Sequence, residues 1–221
     1  MSCAQCHDGL VLYPENVSLV PESLPEIFCC RIEGAPQSNG FTRGFSEHRQ
    51  QFVSQSSFMN AEIQRARDFA IRAHAGQQYG EHPYVYHLDA VAEILAPFGD
   101  QAQIVAYLHD VAEDCEVTVA EIAEAFGEHI AHCVALLTDE PGESRAVRKA
   151  RTNEKLSMTT NSLALTVKAA DRLANLLGSL EESQAHYLAM YRREHEAFRK
   201  AAYRSGLCDE LWERMAAIVD A

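Results

Sequence analysis

The segment from Tyr107 to Asp114, with the sequence YLHDVAED, concentrates side chains that can bind a metal or move a proton. The period of an α-helix would place His109 beside Glu113 and Asp110 beside Asp114. Aliphatic residues in and before the segment supply an apolar flank, so the pattern predicts that this polar cluster faces inward. Burying so much unpaired charge is costly, and the cluster therefore needs a cation, a proton or a basic partner nearby. A divalent metal is the simplest candidate.

Two further side chains could complete a ligand set with His109 and Asp110. His87 stands at the start of a predicted helix, and Asp171 lies in the segment VKAADRLAN. Two imidazoles and two carboxylates suit Mn²⁺, Fe²⁺ or Zn²⁺ better than Ca²⁺. The alternative for Asp171 alone is an ion pair with Arg172 or a position on a helix surface.

The composition limits the class of protein. The chain has 221 residues, of which 47% are hydrophobic and 23% charged, as expected for one globular domain with or without an appendage. Its formal net charge of −13 argues against general nucleic-acid binding, which needs clustered Lys and Arg. No apolar run reaches the roughly 18 to 20 residues of a membrane span, and no signal peptide is recognisable. We expect a cytoplasmic protein that acts on a small molecule, in an oligomeric state that the sequence leaves open.

The seven cysteines are scattered and odd in number, which is typical of reduced thiols. The segment CAQCH at Cys3 to His7 matches the c-type haem attachment pattern, but haem attachment requires export. Cys3 and Cys6 could instead form a zinc site with Cys29 and Cys30, although adjacent cysteines suit such a site poorly. Incidental cysteines in an extension are the simpler interpretation. We expect the other three cysteines to be core or boundary residues of helices: Cys115, Cys133 and Cys208.

The chain divides into an extension, residues 1–58, and a domain, residues 59–221. The extension contains four prolines and a Ser/Gln-rich run and has no sustained period, which predicts little packed structure. It could also result from a start codon placed too early, because Met59 immediately precedes the first convincing helix. Deleting the extension should leave folding and catalysis nearly intact.

From Asn60 onward the pattern is helical. Asn60 can cap a first helix that Gly76 ends, and the loop GQQYGEHPY follows. His87 opens a second helix, and a third begins near Gln101 and carries the central cluster. Further helices are predicted after the capping box of Thr118 and Glu121, along EHIAHCVALLTD, and at about Ser144–Leu156, Leu163–Leu177, Gln184–Arg204 and Asp209–Val219. No alternation lasts long enough for a strand, so the predicted fold class is all-α. The P-loop, Rossmann and zincin signatures are absent.

The segments PYVYHLDAVAEIL, YLHDVAED and VKAADRLAN resemble those of the metal-dependent HD phosphohydrolases. The likeness is to the hydrolase domain of RelA/SpoT proteins and to the stand-alone small alarmone hydrolases, from about Ile63 to Asn175. It implies an HD-domain helical bundle with a metal site between core helices. It also implies hydrolysis of the 3′-pyrophosphate of guanosine tetra- or pentaphosphate, without a synthetase domain. Another nucleotide substrate, or a nucleotide-binding regulator without turnover, remains an alternative.

The resemblance also implies roles for individual residues. Glu113 and Asp114 would position or deprotonate the attacking water, and Asn175 would contact the nucleotide sugar. Physical reasoning supports this division, because a metal acidifies bound water and a neighbouring carboxylate can take the proton. One Mn²⁺ would be bound by four ligands: His87, His109, Asp110 and Asp171.

One departure from the family pattern affects substrate recognition. Relatives commonly have basic residues before PYxxH, where this chain has Gln78 and Tyr79. Tyr191 is a candidate base or ribose contact. Compensating charge could come from a basic helix face, which could equally be a solvated surface; its members are Arg145, Arg148, Lys149, Arg151 and Lys155.

Three other histidines could also contribute. His74 could orient the pocket or simply pack within its helix. His129 and His132 have the spacing of metal ligands, but no cysteine or carboxylate partner is evident.

Overall fold

The computed structural model describes residues 61–180 and 185–221, which fold as packed α-helices with one small hairpin. The all-α prediction is therefore confirmed. Helix α1 covers residues 61–73. The hairpin strands and the remaining helices follow in this order: β1 (Gln78–Tyr79), β2 (His82–Pro83), α2 (Val85–Leu95), a 3-10 turn (Ala96–Phe98), α3 (Asp100–Leu108), α4 (Val111–Asp114), α5 (Val119–Phe126), α6 (Glu128–Leu137), α7 (Arg145–Met158), α8 (Ser162–Gly178), α9 (Ala185–Ala202) and α10 (Asp209–Val219). The predicted extension 1–58, the CAQCH and Cys29-Cys30 segments and the Asn60 cap lie outside the described residues.

Helix α8 is the centre of the domain. Every residue from Ala164 to Ala174 is buried, and α8 packs against α2, α3, α6, α9 and α10. This helix is buried on all sides because other helices surround it. Asp171 is therefore carried into the interior by the best-packed helix, where its position is fixed by the packing on every side.

Local signals in the sequence set several helix boundaries. Thr118 and Glu121 form the predicted capping box at the start of α5. Gly99 and Gly127 adopt φ of 92° and 88°, which favours glycine, and each stands between two helical segments. Helix α2 begins at Val85 with Tyr84 as its N-cap, so His87 lies in its first turn instead of opening it.

The helix predicted to run through the central cluster is interrupted. Helix α3 ends at Leu108 and α4 begins at Val111, so His109 and Asp110 form a turn between them. The Asp110 carbonyl accepts hydrogen bonds from the backbone amides of Glu113 and Asp114. The predicted continuous helix through the cluster is therefore wrong: His109 and Asp110 lie in a turn, whereas Glu113 and Asp114 lie on the short helix α4.

The loop predicted before α2 contains the hairpin. Tyr79 pairs with His82 and Gln78 pairs with Pro83 in antiparallel register, and Gly80 turns the chain at φ 62°. Strands of two residues are too short to show an alternating pattern in the sequence. In the described segments, none of the helices combines the length and the apolar character needed to cross a membrane.

Candidate metal centre

The four predicted metal ligands converge on one point in the interior. One ligand atom each from His87, His109 and Asp171 lies within 4.8 Å of the other two. Asp171 Oδ1 is 3.4 Å from His87 Nε2 and 3.6 Å from His109 Nε2. Asp110 Oδ2 joins them at 3.0 Å from His109 Nε2 and 3.8 Å from His87 Nε2. Helices α2 and α8 and the turn after α3 thus bring two nitrogen and two oxygen donors together.

His109 shows why this cluster suits a cation. It is 1% exposed, and its Nδ1 donates to the Ala106 carbonyl oxygen at 2.7 Å. That hydrogen bond leaves Nε2 facing the cluster, where it offers a lone pair when the imidazole is neutral. Within the described segments Nε2 has no assigned hydrogen bond, although Asp110 Oδ2 lies 3.0 Å from it. A buried imidazole nitrogen that faces two carboxylates fits a divalent cation, which would take the place of the proton at Nε2.

The charges of the cluster are strongly coupled. Burial lowers the pKa of His109, but the Asp110 and Asp171 carboxylates together outweigh burial and hold that pKa well above its usual value. Burial raises the pKa of Asp110, but His109 reverses the effect and keeps that pKa well below its usual range. Asp110 therefore remains ionised, as a metal ligand must be.

Lys168 belongs to the site, although the sequence reasoning missed it. Its Nζ is 3.4 Å from Asp171 Oδ2 and donates to the Leu137 carbonyl oxygen at 3.1 Å. Burial raises the pKa of Asp171, but Lys168 leads the groups that bring it well below its usual value. Lys168 holds one carboxylate oxygen while the other faces the histidines. Its position three residues before Asp171, on the same helix face, was the available signal.

Tyr84 is a second residue that the sequence reasoning did not single out. Its hydroxyl is 2.7 Å from Asp110 Oδ2 and 3.0 Å from Asp114 Oδ2. The His74 ring stacks on the Tyr84 ring with centroids 4.3 Å apart, and His74 Nδ1 contacts Gln77 Oε1 at 2.8 Å. His74 therefore packs where it can orient the pocket, by fixing the ring of Tyr84.

Glu113 and Asp114, the predicted proton acceptors, each have a raised pKa. Glu113 Oε2 accepts a hydrogen bond from the Asp139 backbone amide at 2.7 Å, and burial raises the pKa of Glu113. Burial, followed by the Asp110 charge, raises the pKa of Asp114. A carboxylate with a raised pKa is a stronger general base at neutral pH than a fully solvated one.

A cavity of about 350 Å³ adjoins the metal centre. Asn175 connects the two, because its Nδ2 donates to Asp171 Oδ1 at 2.6 Å and its Oδ1 accepts from the Tyr79 hydroxyl at 3.1 Å. Four of the predicted substrate-binding residues line this cavity: Gln78, Tyr79, Asn175 and Tyr191. Among the described residues, its lining includes no lysine and no arginine.

The family is decided by the match to a model of the HD domain over residues 66–208, which is more than half of the chain. The chain belongs to the HD-domain family. The predicted resemblance is thereby confirmed, and the helices that hold the metal-ligand cluster all fall inside the matched segment.

The relatives of this HD domain include proteins named as guanosine-3′,5′-bis(diphosphate) 3′-pyrophosphohydrolases. The guanosine-3′,5′-bis(diphosphate) 3′-pyrophosphohydrolase MESH1 of Homo sapiens is 33% identical over 123 residues, which are 52% of this chain and 68% of that protein. A probable GTP pyrophosphokinase of Mycobacterium leprae is 30% identical over 161 residues, which are 68% of this chain and 20% of that protein. The chain thus spans about a fifth of the bacterial protein.

A solved structure supports the fold. The structure of a metazoan ortholog of SpoT, described as hydrolysing ppGpp, superposes with a TM-score of 0.58 at 23% identity. The superposition covers 71% of this chain and 95% of that one. At this identity the likeness shows a shared fold, with the HD domain accounting for most of the described residues.

The basic residues of α7 do not reach the cavity of this HD domain. Arg145 forms two hydrogen bonds with Glu194 on α9, at 2.8 and 3.1 Å. Lys155 pairs with Glu140 at 2.7 Å and donates to two backbone carbonyls. Arg148 does not line the cavity either. The contact of these residues with substrate phosphates stays a prediction. For Arg145 and Lys155, it would require the substrate to replace Glu194 and Glu140 as their partners.

The remaining metal-capable residues lie apart from the HD-domain centre. His129 and His132 on α6 are exposed, and in residues 61–180 and 185–221 the central triad is the only group of three side chains that could hold an ion. Cys133 and Cys208 are buried free thiols, and Cys115 is a partly buried one, as predicted.

Proposed function

We propose that this HD domain hydrolyses the 3′-pyrophosphate of guanosine tetra- or pentaphosphate with one Mn²⁺ per chain. The main support is a cluster of four potential ligands: His87, His109, Asp110 and Asp171. Glu113 and Asp114 follow Asp110 closely in the chain, so a base could act beside the cation. The names of the relatives support the choice of substrate. Mn²⁺ is proposed from the donor set, which also suits Fe²⁺ or Zn²⁺.

The chain's own residues divide the chemistry. A divalent cation in the cluster would acidify the attacking water and polarise a phosphoryl oxygen. The Glu113 or Asp114 carboxylate accepts a proton of the water as the water oxygen attacks the phosphorus that is bonded to the ribose 3′-oxygen. The bond from that phosphorus to the ribose 3′-oxygen breaks, pyrophosphate leaves, and the ribose 3′-oxygen takes a proton. Asn175 and Tyr191 would hold the nucleoside in the adjoining cavity.

Product analysis tests this function. The purified full chain would be loaded with Mn²⁺ and incubated with a panel of phosphorylated nucleotides, and the products separated by anion exchange. Release of pyrophosphate from ppGpp or pppGpp, without orthophosphate, supports the proposal. The absence of turnover on every nucleotide, with metal bound, would instead favour a nucleotide-binding regulator.

The uncharged lining of the cavity favours a second candidate. Gln78 and Tyr79 cannot neutralise a 5′-diphosphate as lysine or arginine would. A nucleotide or phosphorylated cofactor with less 5′ charge would suit this cavity at least as well. In the same assay, orthophosphate released from such a nucleotide would identify this alternative.

A further inference from the structure

A groove between α7 and α9 collects positive charge in an otherwise acidic chain. Its volume is about 520 Å³, whereas the chain as a whole has a formal net charge of −13. Among the described residues that line the groove, Glu194 is the one acidic side chain. The basic side chains that line it are Arg145, Lys149, Arg172 and Arg193. The groove is therefore a positively charged region of an acidic protein, and it can attract an anion.

Arg172 supplies the groove with an unused donor. The residue is 8% exposed, and its guanidinium lies between the Tyr191 and Phe198 rings, 4.9 and 4.7 Å from their centroids. Its Nη2 has a long hydrogen bond of 3.4 Å to Glu194. Its Nη1 is buried and has no hydrogen-bond partner in the part of the chain that the structure describes. A buried donor without an acceptor is costly, so a shift of the Arg172 side chain that brings Nη1 to an acceptor in the groove would be stabilising.

Glu194 cannot balance the charge alone. Its carboxylate already accepts both hydrogen bonds from Arg145 while it pairs with Arg172. Lys149 is neutralised separately by Asp139 at 2.7 Å. One carboxylate thus serves two guanidinium groups, and the exposed Arg193 adds a further cation at the rim. The groove keeps an excess of positive charge even after its internal ion pairs are counted.

The rest of the lining suits the organic part of a ligand. Asn153 offers an amide, and the volume falls in the usual range for small-molecule sites. The other lining residues are apolar: Ala146, Ala150, Met190, Ala197 and Phe198. Guanidinium groups beside an apolar wall are the combination that binds a phosphate attached to a base or sugar.

We propose that this groove is a second anion site, which binds the phosphate of a nucleotide apart from the metal centre. It shares no lining residue with the 350 Å³ cavity. The two are nevertheless connected, because Arg172 follows Asp171 in α8 and contacts Tyr191, which lines the cavity. The site does not depend on which nucleotide the metal centre hydrolyses.

Tryptophan fluorescence of the Mn²⁺-loaded full chain can test the site. Trp212 is the only tryptophan, and its ring lies 5.2 Å from that of Phe198. The protein would be titrated with GMP, inorganic phosphate and guanosine. Ala150→Glu and Arg193→Glu place a negative charge on exposed groove positions. Lys200→Glu, also exposed on α9, makes the same charge change as Arg193→Glu but lies outside the groove lining.

We expect saturable binding of GMP to the wild type and to Lys200→Glu, with at least about tenfold weaker binding to both groove variants. Manganese content should be equal in all four proteins. Competition by inorganic phosphate would show that free phosphate is a ligand, and its absence would show that the nucleoside is also required. The proposal fails if GMP binds all four proteins equally, if guanosine binds as tightly as GMP, or if no signal saturates.

Discussion

Tyr84 donates its hydroxyl to Asp110 across 2.7 Å, although 26 positions separate the two residues in the sequence. Asp114 Oδ2 lies 3.0 Å from the same hydroxyl. A phenol has one proton, so it can donate to only one of these carboxylates at a time. Tyr84 thereby links the proposed metal ligand Asp110 to the proposed proton acceptor Asp114. Its hydroxyl proton is expected to bond the carboxylate that carries more negative charge.

Replacing Tyr84 by phenylalanine tests this link. A hydrogen bond to a charged group contributes about 1.5–3 kcal/mol, so we expect kcat to fall about tenfold or more while KM and bound manganese change little. Steady-state kinetics and elemental analysis provide the measurements. Tyr86→Phe is a matched control on an exposed ring two residues away. An unchanged kcat in Tyr84→Phe, with the metal retained, would show that this hydroxyl only supports packing.

Removing a proposed metal ligand should abolish both metal binding and activity. In His109→Ala or Asp110→Ala three proposed ligands remain, and without the cation their buried charge is no longer neutralised. The free energy of unfolding should therefore decrease as well. Elemental analysis, hydrolysis assays and thermal unfolding measure the three effects. His132→Ala removes an exposed histidine and should change none of them. Undiminished metal in both ligand variants would remove the proposed site.

The parts of this site that follow one helix could be predicted from the sequence. Asp171 and Asn175 are one turn apart on α8, and the structure joins them by a 2.6 Å hydrogen bond. The capping box at Thr118 was equally local. Such features depend on spacing along the chain, which the sequence displays directly.

Other parts depend on packing between distant segments. The pair of Tyr84 and Asp110 requires α2 to lie against the turn after α3, and no spacing rule gives that geometry. The interruption at His109 and Asp110 was also hidden, because their residue types are compatible with a continuous helix. The basic residues of α7 could bind phosphate or form a solvated surface, and the sequence could not show tertiary ion pairs such as that of Arg145 with Glu194.

Glu113→Gln should abolish turnover and keep the metal. The amide preserves the size of the side chain but cannot accept a proton at neutral pH. Single-turnover assays and manganese content give the measurements, with Asp114→Asn as the parallel variant. Loss of metal from Glu113→Gln would make Glu113 a ligand, and a near-normal rate would assign the base to Asp114.

The ion pair of Lys149 and Asp139 should stabilise the domain in a pH-dependent way. Burial raises the pKa of Asp139, but Lys149 at 2.7 Å outweighs it, and the net pKa is lowered. A lowered folded-state pKa contributes stability above the unfolded value of about 3.9, and that contribution is lost as the pH falls through the folded value.

We therefore expect Lys149→Met to reduce the free energy of unfolding by about 1–3 kcal/mol near neutral pH. The difference from the wild type should shrink as the pH falls below about 4. Urea unfolding at several pH values measures it, and Lys200→Met, an exposed lysine, serves as the control. A difference that does not change with pH would mean that Lys149 stabilises through packing of its aliphatic stem.

A cation added at the edge of the uncharged cavity can test whether this edge contacts the 5′-phosphates. Gln78 is exposed at its edge, whereas the Tyr79 ring stacks on His87 with centroids 4.8 Å apart and its hydroxyl bonds Asn175. The double variant Gln78→Arg with Tyr79→Lys would add charge but remove that stack. Gln78→Arg alone adds a cation and leaves the stack in place, so it is the cleaner test.

If the chain hydrolyses ppGpp and pppGpp, the added cation should lower KM about fivefold, with kcat retained and with the larger effect on pppGpp. Gln78→Met controls for side-chain size. Equal KM values in Gln78→Arg and Gln78→Met, with metal and fold intact, would mean that this edge does not contact the 5′-phosphates, and a nucleotide with less 5′ charge would become the better substrate candidate.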